Sequence, residues 1–392
     1  MAMEGIFGEA VDRIGGEPIS ARMARKAPLR HLDATLLLVT LLLTGFGAVM
    51  ILSATQHKQE AAGLDPTIFL DRQLAFIVAA TVVLFAVSFF DYRHFRAFAP
   101  VMYVGVLLAL VAVATPLGQE IQGSQRWIDL GFFQMQPSEM AKVVVIVTLA
   151  AYFSMLKGQL RARDVAAAVG LVALPCLLIY VQPDLGTMMV FVALLGVMLL
   201  VGGAKIRHLL VLAMLGVGLV GFVVQAGLLE DYQIQRITAF LDPSPDVQSE
   251  GYNLAQSEIA IGSGGISGKG LEGKNTQTSL DFIPEQHTDF IFTAVGEQLG
   301  FVGSATLLSL FAFLLWRALR IAAMSRDLFG TLIAAGIAGY WGFQLFINLG
   351  MTMGIMPITG IPLPFISYGG SSLITNYMAV GLLLNVHMRR FL

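Results

Sequence analysis

The stretch LLLVTLLLTGFGAVMIL, residues 36–52, decides the fold of this chain. It contains no charged residue, and its apolar residues run continuously instead of alternating with polar ones. A membrane-spanning helix needs about 20 apolar residues, whereas the strands of a membrane β-barrel alternate over segments of about ten. The stretch therefore predicts a transmembrane helix.

The composition extends this prediction to the whole chain. Apolar residues make up 56% and charged residues 13% of the 392 residues, and the mean hydropathy is +0.75. Soluble domains carry about 25% charged residues, so a cytosolic globular protein and a disordered chain are excluded. The net charge of −2 leaves no basic surface for a nucleic acid. The single cysteine, Cys176, excludes a disulfide within the chain and a metal site built from cysteines.

Nine further apolar runs follow the first one. We predict an all-α polytopic membrane protein with ten transmembrane helices and a large extracytoplasmic loop between helices 7 and 8, with a short interfacial helix at 253–265 within it. The loop covers residues 229–288. The ten runs are 33–54, 73–90, 97–116, 139–156, 165–182, 184–203, 206–228, 289–316, 328–352 and 367–388.

Lys and Arg residues predict the orientation, because cytoplasmic loops carry an excess of them. With ten helices both termini lie on one side, and that side collects 17 of the 24 Lys and Arg residues, against six on the other side. We therefore expect both termini to be cytoplasmic. Residues 1–32 are predicted to be a cytoplasmic N-terminal tail, and residues 33–392 the membrane domain. The first run is interpreted as an uncleaved anchor, because no cleavage pattern of small residues follows it.

Ionisable residues are costly in lipid, so those at the ends of spans are candidate functional residues. The first of four such clusters, at the extracytoplasmic side, is RWIDLGFFQMQPSEMAK, residues 126–142. Glu139 and Lys142 are three apart, on one helical face. They are either a neutralised structural ion pair or the lining of a polar cavity in which Lys142 meets an anion. Arg126 and Trp127 suit a phosphate site at the membrane interface, although Trp127 alone is also typical of an ordinary interfacial aromatic residue.

The second and third clusters are QPDLGT, residues 182–187, and IPEQHTDF, residues 283–290. Asp184 is a candidate ligand or a structural N-cap. Asp289 is a candidate general base at the outer membrane face, or only an N-cap of the next span. His287 beside it suggests a metal site only weakly, since no second histidine is near in the sequence.

The fourth cluster is MPITGIPLPFISYGGSS, residues 356–372. Its three prolines and paired glycines interrupt a helix, and irregular backbone at membrane depth is tolerated only where it is buried in protein or lines a cavity. The hydroxyl groups of Ser367, Tyr368, Ser371 and Ser372 can bind a ligand there. The alternative is a re-entrant structural plug.

Two lysines of the long loop, Lys269 and Lys274, are further candidates for binding an anion. They belong to a glycine-rich stretch, residues 262–273, which we expect to be mobile and to close over a substrate.

The motifs resemble those of the shape, elongation, division and sporulation (SEDS) family, in order and over about 33–390. Residues 276–290 and 357–372 are more similar to its elongation branch, RodA, than to its division branch, FtsW. The motifs that carry the resemblance are RWI at 126–128, QPSEMAK at 136–142, QPDLGT at 182–187, GSGG at 262–265, PEQHTDFIF at 284–292 and GIPLPFISYGGSS at 360–372.

The resemblance implies a peptidoglycan glycosyltransferase of the bacterial cytoplasmic membrane that polymerises lipid II during cell-wall elongation. Asp289 matches the family's essential aspartate, and Glu139 and Lys142 match its polar pair. Gln136, Ser138 and Thr288 lie within the matching motifs and are expected to contact the substrate.

The resemblance also implies a class B penicillin-binding protein, a transpeptidase, as partner, together with the elongation machinery and membrane lipids. We expect the partner to dock against helices eight and nine, where Gly336 and Gly339 allow close contact between helices.

The mechanistic hypothesis is an inverting transfer with Asp289 as the general base and an active site on the extracytoplasmic side. The leaving diphosphate needs positive charge, for which Arg126, Lys142, Lys269 and Lys274 are candidates, and a divalent cation such as Mg²⁺ or Mn²⁺ is an additional prediction. Two alternatives stay open: a lipid II flippase, and a non-catalytic membrane scaffold for a cell-wall synthase.

Overall fold

The computed structural model describes residues 31–121, 124–131, 133–156, 158–227, 250–271, 276–280 and 285–390, together with single positions such as 233, 236, 273 and 283. These residues form the eleven helices and the one small sheet that follow. The elements are α1 (Ala34–Ala61), α2 (Ile68–Phe89), α3 (Tyr92–Val113), β1 (Gly118–Ile121), β2 (Ser124–Asp129), β3 (Gln134–Met135), α4 (Pro137–Met155), α5 (Ala162–Val181), α6 (Leu185–Val201), α7 (Ile206–Gln225), α8 (Glu250–Ser263), α9 (Ile291–Ala323), α10 (Leu328–Thr352) and α11 (Gly370–Arg389).

Each of the ten predicted runs corresponds to one helix, which confirms the predicted class of polytopic helical membrane protein. Eight helices among the described residues are long and apolar enough to cross a membrane. The two others are α6, which is apolar but has only 17 residues, and α11, which carries Asn376, Asn385 and His387 along its length. The count of ten crossings therefore stays a prediction.

Helices α4 and α10 form the centre of the bundle, and 72% of the residues in the apolar window of each helix are buried. Helix α10 packs against α4, α6 and α9, whereas α11 packs mainly against α2. Helix α7 lies at the periphery, with no buried residue along its whole length.

The sequence analysis did not predict the sheet. Strands β1, β2 and β3 are antiparallel and lie in chain order between α3 and α4. They are only two to six residues long and lack a clear alternation of polar and apolar residues, so no periodic signal was available. The short helix expected at 253–265 is confirmed, because α8 covers Glu250–Ser263.

Several predicted boundaries were wrong. Helix α2 begins at Ile68 instead of 73, α3 begins at Tyr92 instead of 97, and α9 ends at Ala323 instead of 316. Helix α1 was expected to end at 54, but it continues to Ala61, about two turns further. The prediction followed the apolar run, whereas polar residues can continue the same helix beyond that run. The last helix was expected from 367, but it begins at Gly370, because the residues before it remain in irregular backbone.

The glycines of α10 serve a different purpose from the one predicted. A Cβ atom at Gly336 would lie 2.7 Å from Met198 Sδ, and one at Gly339 would lie 2.9 Å from the Cγ atoms of Val197. Both glycines therefore pack α10 against α6 inside the bundle, and they are not available to a partner helix.

Candidate functional site

Asp289 lies in the turns before α9 and faces the irregular segment between α10 and α11. A Cβ atom at Gly360 would lie 3.3 Å from Asp289 Oδ2 and 3.9 Å from Arg236 Nη1, and Gly360 has a φ of +69°. Asn348 of α10 donates to the backbone oxygens of Asp289, at 2.8 Å, and of Ile361, at 2.7 Å. The Asn348 amide thus connects the backbone at Asp289 to the backbone at Ile361 and holds the two segments at a fixed distance.

The surroundings of Asp289 raise its pKa to about 7, mainly because burial disfavours the charged carboxylate. The guanidinium groups of Arg236 and Arg126 lower the pKa, whereas the carboxyl groups of Glu285 and Asp184 raise it. The residue as a whole retains some accessible surface. Asp289 is therefore a recessed carboxyl group that can both lose and regain a proton near neutral pH.

The first two sequence clusters meet at Arg126. Its Nε donates to the oxygen of Gln182 at 3.0 Å, and its Nη2 donates to the oxygen of Pro183. Asp184 caps α6, since its carboxylate accepts from Thr187 N at 3.1 Å and Thr187 Oγ1 at 2.8 Å. Asp184 therefore has the structural role of an N-cap. The charges of Asp184 and Arg126 nevertheless act on the pKa of Asp289.

The first and fourth clusters meet at Ser371. Its Oγ accepts from Gln136 N at 2.9 Å and donates to Gln134 O at 2.9 Å. Ser138 is buried, and its Oγ has no hydrogen-bond partner among the residues that the structure describes. Trp127 lies on β2 opposite Gln119 and is partly exposed.

Glu139 and Lys142 form a buried ion pair. Lys142 Nζ lies 2.7 Å from Glu139 Oε1, and the exposed fractions of the two side chains are 1% for Lys142 and 3% for Glu139. The ammonium group also lies 5.7 Å from the ring centre of Tyr340, while Glu139 Oε2 has no hydrogen-bond partner in the described part of the chain. The geometry favours the structural alternative for this pair.

The remaining residues of the third and fourth clusters form one aromatic and polar wall. The ring of Phe69 lies 4.8 Å from that of His287 and 5.1 Å from that of Tyr368, and Tyr368 N donates to His287 O at 2.9 Å. Thr288 Oγ1 donates to the backbone oxygen of Glu285 at 2.8 Å.

Two further hydroxyl groups stabilise the irregular segment and the start of α11. Ser367 Oγ accepts from Leu363 N at 2.8 Å, and Ser372 Oγ accepts from Asn376 Nδ2 at 3.3 Å. Both serines are buried, so their hydroxyl groups contact the protein and not open solvent.

The glycine-rich stretch packs against α9. A Cβ at Gly264 would lie 2.0 Å from Gly296 O, and one at Gly268 would lie 2.1 Å from Gln298 O. Lys269 N and Gly270 N also donate to backbone oxygens of α9, at 3.0 and 2.9 Å. The backbone of α9 departs from helical geometry at Gly300. This part of the stretch packs against α9 just before that position and does not form the free loop that was expected.

Lys269 forms an ion pair with Glu297 of α9 at the same contact. Its Nζ lies 2.9 Å from Glu297 Oε1, and the Glu297 carboxylate also accepts from Thr278 N and Gln277 N at 2.9 and 2.8 Å. Lys274 lies outside the described residues.

The sequence analysis missed three residues of this site, namely Arg236, Asn348 and Gly360. Arg236 had been counted only as one of six extracytoplasmic basic residues. A buried amide near the end of a largely apolar helix was the available signal for Asn348. No group of three or more His, Cys, Asp or Glu residues among the described residues could hold a metal ion, so the divalent cation stays a prediction.

The fold and the site together define an integral membrane protein with a recessed carboxyl group at one end of the bundle, close to two arginines. The comparison with known proteins narrows this class. The FtsW/RodA/SpoVE family, described as cell cycle proteins, matches residues 33–391, and the chain belongs to this family.

Two curated relatives are similar over almost their whole length. Stage V sporulation protein E of Bacillus subtilis is 40% identical over 358 residues, which are 90% of this chain and 96% of the relative. Peptidoglycan glycosyltransferase MrdB of Escherichia coli K12 is 38% identical over 361 residues, which are 92% and 94%.

Two solved structures share the fold. One belongs to work on the coordination of polymerization and crosslinking by a peptidoglycan synthase complex, with a TM-score of 0.77, 33% identity, and 92% of this chain and 98% of that chain covered. The rod shape determining protein RodA of Thermus thermophilus has a TM-score of 0.68, 31% identity, and the same coverage. These matches confirm the family that the motifs predicted.

Proposed function

We propose that this protein is a peptidoglycan glycosyltransferase that polymerises lipid II during cell-wall elongation, with Asp289 as its general base. The observation that carries the proposal is the recessed Asp289 carboxyl group, whose pKa of about 7 suits proton transfer at neutral pH. The relative named peptidoglycan glycosyltransferase and the RodA structure support the reaction class and the elongation branch.

The proposed step is an inverting displacement. The C4 hydroxyl of the acceptor's N-acetylglucosamine attacks C1 of a polyprenyl-diphosphate-linked N-acetylmuramic acid, and its proton passes to the Asp289 carboxylate. The O4–C1 bond forms while the bond from C1 to the diphosphate oxygen breaks, and the diphosphate leaves with the electron pair. No acid is needed for this leaving group, but its developing charge requires cations.

Arg126 and Arg236 are the cations that we assign to the diphosphate, because both act on the charge of Asp289. Lys142 and Lys269 are each paired with a buried carboxylate, Glu139 and Glu297, so their charges are already balanced. A divalent cation would add positive charge at the diphosphate, and no residue is assigned to it.

The orientation that we propose for the chain in the membrane rests on the distribution of Lys and Arg residues. We place both termini in the cytoplasm and Asp289 at the extracytoplasmic face of the bacterial cytoplasmic membrane. The multi-pass character itself is supported by the eight apolar helices and the family.

A class B penicillin-binding protein is the proposed partner, since the similar chain of known structure belongs to work on a peptidoglycan synthase complex. Helix α9 offers an apolar surface for a single-span partner, because Phe301, Trp316 and Leu319 are exposed on it. Co-expression with the transpeptidase should raise polymer yield well above that of the protein alone. Equal yields and no co-purification would contradict this part of the proposal.

Purified protein incubated with lipid II tests the reaction, with Asp289→Asn as the decisive variant. A polymerase loses its product, a scaffold loses nothing, and a flippase loses transport in an assay in which no polymer forms. This comparison distinguishes the proposed function from both alternatives.

A further inference from the structure

The carboxylate of Glu297 lies on the second turn of α9, and the transfer proposed above does not use it. The residue is fully buried. Its Oε1 accepts from Lys269 Nζ at 2.9 Å and from Gln277 N at 2.8 Å, while its Oε2 accepts from Thr278 N at 2.9 Å and from Thr278 Oγ1 at 2.8 Å. One carboxylate thus binds three residues of the loop before α9 and uses about all of its acceptor positions.

The hydroxyl group of Thr278 connects this carboxylate to the turns that carry Asp289. An ionised carboxylate only accepts hydrogen bonds, so the hydroxyl hydrogen is donated to Glu297, and the hydroxyl oxygen can only accept from another group. Gln286 Nε2 is that group, at 3.0 Å. Thr278 and Gln286 are both buried, which keeps solvent away from this bond.

Gln286 continues the series of hydrogen bonds to the residue after Asp289. The second hydrogen of its amide nitrogen is donated to Thr293 Oγ1 at 3.0 Å, and Thr293 Oγ1 donates its own hydrogen to Phe290 O at 2.6 Å. The series therefore joins Glu297 to the backbone next to Asp289, and the carboxylate at its start fixes the direction of the Thr278 hydroxyl group.

The backbone around Asp289 is held from two directions. Asn348 of α10 donates to Asp289 O at 2.8 Å, and the series that begins at Glu297 reaches Phe290 O from α9. A catalytic side chain needs this kind of support, because a displacement of about 1 Å can cost on the order of 100-fold in rate. The Asn348 bond alone leaves the turns free to rotate about it.

We propose that Glu297 is a positioning residue for Asp289, which acts through Thr278 and Gln286 to fix the turns that carry the candidate base. This inference rests on the proposed function, since it concerns the transfer that Asp289 performs. The bonds from Glu297 to Lys269 and Gln277 hold the loop, whereas the branch through the Thr278 hydroxyl group is the one that reaches Asp289. Removing that hydroxyl group therefore separates the two roles.

Thr278→Val interrupts the series at this point. Valine has nearly the shape of threonine, so Glu297 keeps its bonds to Lys269 and to the loop backbone, while Gln286 loses one acceptor. We expect kcat for the polymerisation of lipid II, per amount of folded protein, to fall about tenfold or more. The KM for lipid II should stay within about twofold, because a bond that only positions the base does not contribute to substrate binding. A purely structural bond would lower the yield of folded protein and leave its kcat unchanged.

Two variants of threonines in the same loop serve as controls. Thr278→Ser keeps the hydroxyl group and should recover most of the rate. Thr276→Val removes a buried hydroxyl group that is bonded only to its own turn, at Gly273 O and Ser279 N, among the described residues, and it should keep kcat within about twofold. The proposal is overturned if Thr278→Val keeps the wild-type kcat, if it changes only the KM, or if Thr276→Val lowers kcat as much.

A double variant tests whether Glu297 acts through Thr278. Glu297→Gln should lower kcat, and adding Thr278→Val should lower it no further, because the two residues belong to one series of bonds. Losses that multiply would show that Glu297 acts independently and would overturn the proposal. If Thr278→Val or Glu297→Gln gives no folded protein, Gln286→Met interrupts the same series, and an unchanged kcat in that variant also overturns it.

Hydrogen exchange separates this inference from the role of Asp289. In Asp289→Asn protein, adding Thr278→Val should speed amide exchange in residues 286–293 about fivefold, which corresponds to the loss of one hydrogen bond of about 1 kcal/mol, and Thr276→Val should not. Unchanged exchange would overturn the proposal. Full polymerase activity of Asp289→Asn would refute the general base and leave this comparison of exchange rates intact.

Discussion

Replacing Asp289 with Asn tests the general base and the burial of its carboxyl group in one protein. The substitution keeps the size of the side chain and the backbone oxygen that accepts from Asn348. It removes the group that accepts the proton, and the loss of a general base costs about 10²–10⁴-fold in rate. We therefore expect polymer formation from lipid II to fall by at least about 100-fold.

The same substitution should stabilise the fold at alkaline pH. The pKa of Asp289 is raised from 3.8 to about 7, and each pKa unit corresponds to about 1.36 kcal/mol. Because the folded-state pKa is the higher one, the stability contributed by protonated Asp289 is present at acidic pH and is lost as the pH rises to about 7. The Asn variant does not undergo this loss. We expect it to be more stable than wild type by about 2–4 kcal/mol at pH 8, allowing for the partial exposure of the side chain, and by less than half of that at pH 5.

Two measurements check these expectations. Polymer is quantified on gels with purified protein and lipid II, and thermal unfolding is followed in detergent at pH 5 and pH 8. The wild-type kcat/KM should rise about tenfold per pH unit below about pH 7 and level off above it. Wild-type polymer yield from folded Asp289→Asn would refute the catalytic role, and a variant less stable than wild type at pH 8 would refute the burial argument.

Three further predictions address the rest of the molecule. Glu139→Leu and Lys142→Leu should each lower the yield of folded protein, because breaking a buried pair costs about 3–5 kcal/mol, and the double variant should recover that yield; normal yields of both single variants would show that the pair is not structural. Gly264→Ala should reduce folded yield and activity because its Cβ would lie 2.0 Å from a backbone oxygen of α9, whereas Gly262→Ala, with nothing within 4 Å, should behave as wild type; equal behaviour of the two variants in a thermal unfolding assay would contradict this packing. A cysteine at position 274, in a protein without its native cysteine, should react with an impermeant maleimide on intact cells, and labelling only after permeabilisation would reverse the proposed orientation.

The amino-acid sequence determined the class of the protein and the positions of its functional segments. The hydrocarbon layer of a membrane sets the length of the apolar run that a helix needs to cross it. Such a run is a local property of the chain, so the ten apolar runs could be found in the sequence. Asp289 and Asp184 were found because carboxylates at the ends of such runs are costly and therefore conspicuous. The order and spacing of the motifs also indicated the family, which the comparisons confirmed.

Only the tertiary structure decided which of these groups meet. A transmembrane helix that is apolar on all sides does not reveal by its periodicity which face contacts a neighbour. The sequence therefore could not show that Gly336 packs inside the bundle, that Lys269 pairs with Glu297, or that Arg236 lies close to Asp289. The pKa of Asp289 likewise depends on residues more than 100 positions away, since desolvation and charge act through space and not along the chain.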